Sequence, residues 1–92
     1  MNHQTRATWK CAVFTFQCAA LLQAIDRDSP AAVFTQTMGD CALHLIDCVT
    51  RTEDTKEMAV IVQTADNLAT TVNSLLQDYL AHIQWNSSEA CA

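Results

Sequence analysis

The sequence predicts an all-α fold, a three-helix antiparallel bundle with a long C-terminal helix, in a single domain. Half of its 92 residues are apolar and it has only one glycine and one proline, which suits long helices and leaves little turn chemistry for β-hairpins. Two polar breaks, at residues 26–30 and 50–53, divide the chain into three segments. Apolar residues recur at steps of three and four within each segment, the pattern of helices packed lengthwise.

Helix 1 is predicted over about residues 5–26, with two apolar stripes. One stripe is Trp9, Val13, Phe16 and Ala20, and the other is Cys11, Phe14, Cys18, Leu21 and Ile25. A helix that is apolar on most of its circumference is usually buried, so we expect this one at the centre of the bundle. The alternative is that the face with Trp9, Val13 and Phe16 stays exposed and binds a partner.

Helix 2 is predicted over about residues 30–49. Ser29 is a favoured N-cap, and Pro30 at the first helical position loses no hydrogen bond, so the helix should begin there. Its predicted seam is Phe34, Met38, Cys41, Leu45 and Cys48. Gly39 within this segment indicates a close contact between helices.

Helix 3 is predicted over about residues 53–85, followed by a tail at residues 86–92. Its seam is Met58, Ile61, Ala65, Leu68, Val72, Leu75 and Tyr79. Thr50 and Glu53 have the spacing of a capping box, which predicts the start of the helix near residue 52 or 53. Poor helix formers between Asp66 and Ser74 leave an alternative in which the helix kinks and the remainder folds back as a fourth helix.

The end of helix 3 is predicted to form a homodimer interface. If helices 2 and 3 pack antiparallel, helix 3 overshoots by about 12 residues, or about 18 Å. The overhang is apolar, and a soluble monomer rarely leaves such a patch in water. We therefore expect a two-fold dimer. Its predicted interface is Leu76, Tyr79, Leu80, Ile83 and Trp85, together with Trp9 and Phe16.

Four cysteines fall in facing layers of the first two helices when these are paired about the Ser29-Pro30 turn. This register places Cys11 opposite Cys48 and Cys18 opposite Cys41. In one interpretation they are buried thiols that pack as small apolar side chains. In a second they form two disulfides in an oxidising compartment. That geometry resembles the twin-cysteine helical hairpins of the mitochondrial intermembrane space, although the spacing within each helix is shorter here.

The third interpretation of these cysteines is a metal site formed by Cys41, His44 and Cys48, whose side chains are ligand types that suit zinc. Residues seven apart on a helix are about 10.5 Å apart along its axis, too far to share one ion held at about 2.3 Å. We therefore expect no metal and no other cofactor.

The charge and hydropathy of the chain exclude two classes of partner. Five basic and ten acidic residues give a formal charge of −5, whereas a protein that binds nucleic acid needs clustered Lys and Arg. No apolar run reaches the roughly 20 residues that span a bilayer, so we expect no membrane insertion. No secretory signal follows Met1, and a cytoplasmic location is therefore expected.

The sequence has no catalytic signature, and we expect that the protein is not an enzyme. A nucleophile needs a nearby base and a pocket that excludes water, which a small bundle with a filled seam does not provide. The predicted function is that of a small acidic helical protein that binds another protein, as an adaptor, a regulator or an inhibitor of a larger protein or complex. The alternative is a thiol-dependent redox or metal-binding hairpin that uses Cys11, Cys18, Cys41 and Cys48.

Overall fold

The computed structural model describes residues 2–91 of the protein, and it describes side chains up to residue 83. The chain forms three α-helices, and each helix contacts the other two. They are α1 (His3–Ile25), α2 (Pro30–Arg51) and α3 (Thr55–Cys91). The described residues contain no strand, and the all-α prediction is confirmed. The third segment is one helix, so the alternative fourth helix is not seen within the described chain.

The ends of α1 and α2 follow from local sequence. Asn2 caps α1, because its side-chain oxygen accepts a hydrogen bond from the Thr5 N–H at 2.7 Å. Ser29 caps α2 by accepting from the Ala32 N–H at 3.1 Å, and Pro30 occupies the first turn. The predicted start of α2 is therefore confirmed, whereas α1 begins two residues before the predicted position.

The start of α3 differs from the prediction. The capping box at Thr50 and Glu53 is wrong, because α2 continues to Arg51 and helical Thr50 cannot act as an N-cap. Asp54 caps α3 instead, since its carboxylate accepts a hydrogen bond from the Lys56 N–H at 2.8 Å. The helix also extends to Cys91, beyond its predicted end at residue 85.

Helix α3 sets the length of the molecule. Its 37 residues correspond to about 55 Å, and the molecule measures 58 × 19 × 17 Å. The Asn2 amide lies 3.6 Å from the Met58 sulfur, and the Tyr79 hydroxyl donates to the Asp26 carboxylate at 3.3 Å. Tyr79 is therefore level with the end of α1, and α3 continues for about 18 Å beyond it.

The buried faces of α1 and α2 consist mainly of small side chains. The buried residues of α1 are Thr5, Thr8, Ala12, Thr15, Cys18, Ala19 and Leu22, and those of α2 are Ala32, Thr35, Met38, Gly39, Ala42 and Val49. Thr8, Thr15 and Thr35 are fully buried, and each hydroxyl donates to a backbone carbonyl within its own helix at 2.8–3.0 Å. These bonds remove the cost of burying the hydroxyls.

The buried faces of α1 and α2 differ from the predicted ones. Trp9 and Val13 of one predicted stripe, and Phe14 and Leu21 of the other, are exposed. The buried face of α1 lies between the two stripes, because Thr and Ala permit a closer approach of the helices than large side chains would. On α2 the predicted seam residues Phe34 and Cys41 are exposed for the same reason. On α3 the predicted Ala65 and Val72 are buried, and the other seam residues are half-buried.

The main apolar cluster lies near the α1–α2 turn. It consists of Cys18, Leu22, Ala32, Met38, Val72 and Leu76, and the partly buried residues Ala31, Leu68, Leu75, Tyr79 and Leu80 pack against it. Leu76 is therefore a core residue and not part of a free overhang, which corrects its predicted role in the interface. None of the helices in the described part of the chain is long and apolar enough to span a membrane.

Candidate interaction surfaces

Several large apolar side chains lie on the surface of this protein. Nine of them in the described residues are between 39% and 65% exposed. They are Trp9, Val13, Phe14, Leu21 and Ile25 on α1, Val33, Phe34 and Leu43 on α2, and Val60 on α3. Single exposed apolar residues are ordinary in soluble proteins, but contiguous patches indicate sites of interaction.

The outer face of α1 carries five of these nine side chains. Two adjoining concavities lie on it, of about 380 and 480 Å³, and they share Gln17. Their walls are Arg6, Trp9, Lys10, Val13, Phe14 and Gln17 in one and Gln17, Ala20 and Leu21 in the other. Helix α1 contains Arg6 and Lys10 but no acidic residue, so this apolar face is basic on a protein of net charge −5.

A second apolar surface is the groove between α2 and α3. Two concavities of about 490 and 530 Å³ adjoin there and share His44. The first is lined by Thr37, Asp40, Cys41, His44, Leu45, Thr64 and Leu68, and the second by His44, Asp47, Cys48, Arg51, Thr52, Glu57 and Ile61. The half with Leu45 and Leu68 is mainly apolar, and the half with Arg51 and Glu57 is charged.

The two predicted interface residues of α1 lie in different environments. Phe16 is half-buried and covers Gly39, where an added Cβ would come within 3.3 Å of the phenyl ring. The predicted close contact at Gly39 is therefore present. Trp9 is 40% exposed and remains available to a partner.

The predicted interface residues of α3 divide into three groups. Leu76 is buried, and Tyr79 and Leu80 pack against the core cluster. Ile83 is half-buried, and Trp85 lies outside the described side chains. Burial raises the pKa of Tyr79, and the charge of Asp26 and the hydrogen bond to it raise this pKa further. The raised pKa favours a protonated hydroxyl as the donor.

The four described cysteines are free and lie in different environments. Cys18 is buried in the core cluster beside α3, whereas Cys41 is exposed in the groove between α2 and α3. Cys11 and Cys48 are half-buried. Burial raises the pKa of both Cys11 and Cys18, and nearby Asp66 raises that of Cys11 further. Both thiols are therefore poor nucleophiles at neutral pH.

No group of three or more His, Cys, Asp or Glu side chains in the described residues is arranged to hold a metal ion. Cys41, His44 and Cys48 do line one side of α2, as their spacing predicts, but they extend along the groove. Cys41 and Cys48 are two turns apart, which is the physical reason that they do not converge.

Comparison with known proteins identifies no relative: no family model, no curated protein and no solved structure matches this chain. Its function must therefore be inferred from its surfaces. Sequence reasoning missed the groove between α2 and α3. The buried face of α1 could have been recognised from the small residues Thr5, Thr8, Ala12, Thr15 and Ala19, which have a heptad spacing of their own.

Proposed function

We propose that this protein acts by binding other proteins, as an adaptor, a regulator or an inhibitor of a larger protein or complex, and that it performs no chemistry of its own. The observation that carries this proposal is the distribution of side-chain size. The largest fully buried side chains in the described residues are Leu, Val and Thr, whereas Trp9, Phe14 and Phe34 are exposed. Large apolar side chains contribute most to affinity when a partner covers them.

The groove between α2 and α3 is the proposed binding site for the partner. Its apolar half, with Leu45 and Leu68, can accept the apolar face of a helix, and its polar rim suits a reversible complex. The −5 charge of the chain favours a basic partner, whose association rate would fall as salt is added. We expect a homodimer and a cytoplasmic location, where reduced glutathione keeps cysteines as free thiols.

A pair of threonine variants tests the site. Thr64 is exposed and lines the groove, whereas Thr70 is exposed on a different face of α3. Arginine at position 64 would obstruct the groove and remain solvated in the free protein. A partner isolated on immobilised wild-type protein and then purified should bind T64R at least about tenfold more weakly, and T70R as tightly as wild type. Equal binding by both variants would reject the groove as the site.

The second candidate function is thiol-dependent. Cys41 is exposed and lines the same concavity as His44, which is the observation that favours it. Cys11, Cys18 and Cys48 complete the set of thiols that this alternative requires. Thiol counts on native and unfolded protein, with and without reductant, separate the two candidates. A disulfide in the isolated protein, or loss of partner binding after oxidation of Cys41, would support a redox function, whereas persistent free thiols would favour packing.

A further inference from the structure

We propose that the outer face of α1 binds the α1 helix of a second copy of this chain, antiparallel, across a two-fold axis at Gln17. This inference rests on the proposed function and specifies the surface used for self-association. It moves the dimer interface from the end of α3, where Leu76, Tyr79 and Leu80 are committed to the core, to a helix face that the chain itself leaves uncovered.

The composition of α1 indicates that this face is covered. The helix is apolar around most of its circumference, a property of helices that are buried on all sides. In the bundle, α2 and α3 cover only the face with Thr8, Ala12 and Thr15. Val13 and Leu21 on the opposite side are 46% and 53% exposed. A third neighbour would complete the environment that the composition of α1 requires.

The apolar area is sufficient for a dimer. An aromatic side chain has roughly 150–250 Å² of surface, and an aliphatic one has somewhat less. The five large apolar side chains on the outer face of α1 are 39–53% exposed. Together they therefore expose about 400 Å² of apolar surface. Two such faces contribute about 800 Å² of apolar surface, and polar and backbone atoms add to it. Stable interfaces bury about 1,200–2,000 Å² in total, of which somewhat more than half is apolar.

The charges on this face select the antiparallel orientation. With Gln17 on the axis, residues whose numbers sum to 34 lie opposite each other. Val13 then faces Leu21 of the second copy, and Lys10 faces Ala24 of the second copy. The two Lys10 residues are therefore about 21 Å apart along the axis, and the two Arg6 residues about 33 Å apart. A parallel arrangement would instead place Arg6 and Lys10 of the two copies side by side, which like-charge repulsion disfavours.

Mass measurement with matched variants tests the surface. Wild-type protein at micromolar concentration should be a dimer by sedimentation equilibrium. L21R should weaken self-association at least about 100-fold, because it would bury a third cation on a face that already carries Arg6 and Lys10. L43R changes an equally exposed leucine on α2 and should leave the dimer intact. Circular dichroism checks that both variants remain helical, which is expected because both side chains are exposed.

Cross-linking tests the orientation. In a background with C41S and C91S, Q17C should form an interchain disulfide under mild oxidation. A24C should not, because antiparallel packing separates its two copies by about 21 Å along the axis. Cross-linking of A24C as efficient as that of Q17C would overturn the antiparallel arrangement.

Three results would overturn the inference as a whole. They are a wild-type protein that is monomeric at all concentrations tested, an L21R variant that dimerises as well as wild type, and a dimer that L43R disrupts while L21R does not. None of these three results tests the proposed function. That proposal depends on binding of a partner in the groove between α2 and α3, which T64R and T70R test separately.

Discussion

Replacing Gly39 with alanine tests how closely α1 and α2 approach. Glycine inside a helix costs about 1 kcal/mol relative to alanine, so the substitution should stabilise α2 if the new methyl group fits. An ideal Cβ at this position would lie 3.3 Å from Cε1 and 3.4 Å from Cδ1 of Phe16. Carbon atoms prefer about 3.5–4.0 Å, so the ring must move by a few tenths of an ångström.

The surroundings of Phe16 allow that movement. The ring is half-buried and borders a concavity of about 220 Å³ that Gly39 and Gln36 also line. No backbone atom is among the close neighbours of the added Cβ. We therefore expect most of the helix-propensity gain to be realised, and G39A to raise the free energy of unfolding by about 0.5–1 kcal/mol.

Urea denaturation followed by circular dichroism measures this difference. All proteins should be compared at one concentration, because self-association adds to the apparent stability. The same substitution in a Phe16→Ala background should give the full gain of about 1 kcal/mol, since the ring is then absent. A loss of more than about 1 kcal/mol on G39A, recovered in the Phe16→Ala background, would refute the reasoning and show that Phe16 is held rigidly against α2.

Four further predictions follow from the core, the thiols and the end of α3. Leu22 is fully buried in the core cluster, so L22A should lower the free energy of unfolding by about 3 kcal/mol in urea denaturation. L43A, at a residue that is 55% exposed, should change it by less than about 1 kcal/mol. Burial raises the pKa of Cys18, so the folded protein favours the neutral thiol. The contribution of this thiol to the free energy of unfolding should therefore be constant below the ordinary thiol pKa of 9.0. It should decline as the pH rises through the raised pKa, and urea denaturation at a series of pH values measures it. Ellman's reagent at pH 7.5 should label Cys41 first and Cys18 only on unfolding, and fast labelling of Cys18 in the native protein would contradict its placement. Leu80 packs against the core, so L80E should lower the melting temperature, and an unchanged melting temperature would contradict that packing.

The sequence by itself determined the helices and where α2 begins. Ser29 and Pro30 act within one turn, as an N-cap and as a residue with no N–H to lose, so no tertiary contact is needed to locate this boundary. The scarcity of glycine and proline also favours helices through the local backbone, without any tertiary contact. The absence of β-structure among the described residues followed from it, and the long third helix followed from its apolar periodicity.

Only the tertiary structure decided which face of each helix is buried. In α1 three faces have helical periodicity: two consist of large side chains, and one consists of Thr, Ala and Leu22. Periodicity alone cannot predict which of the three is buried. The small residues are buried because helices packed through Thr8 and Thr15 approach more closely and bury more backbone than helices separated by Trp9 or Phe14. That choice also sets the surface, since the large side chains displaced from the interior form the outer face of α1.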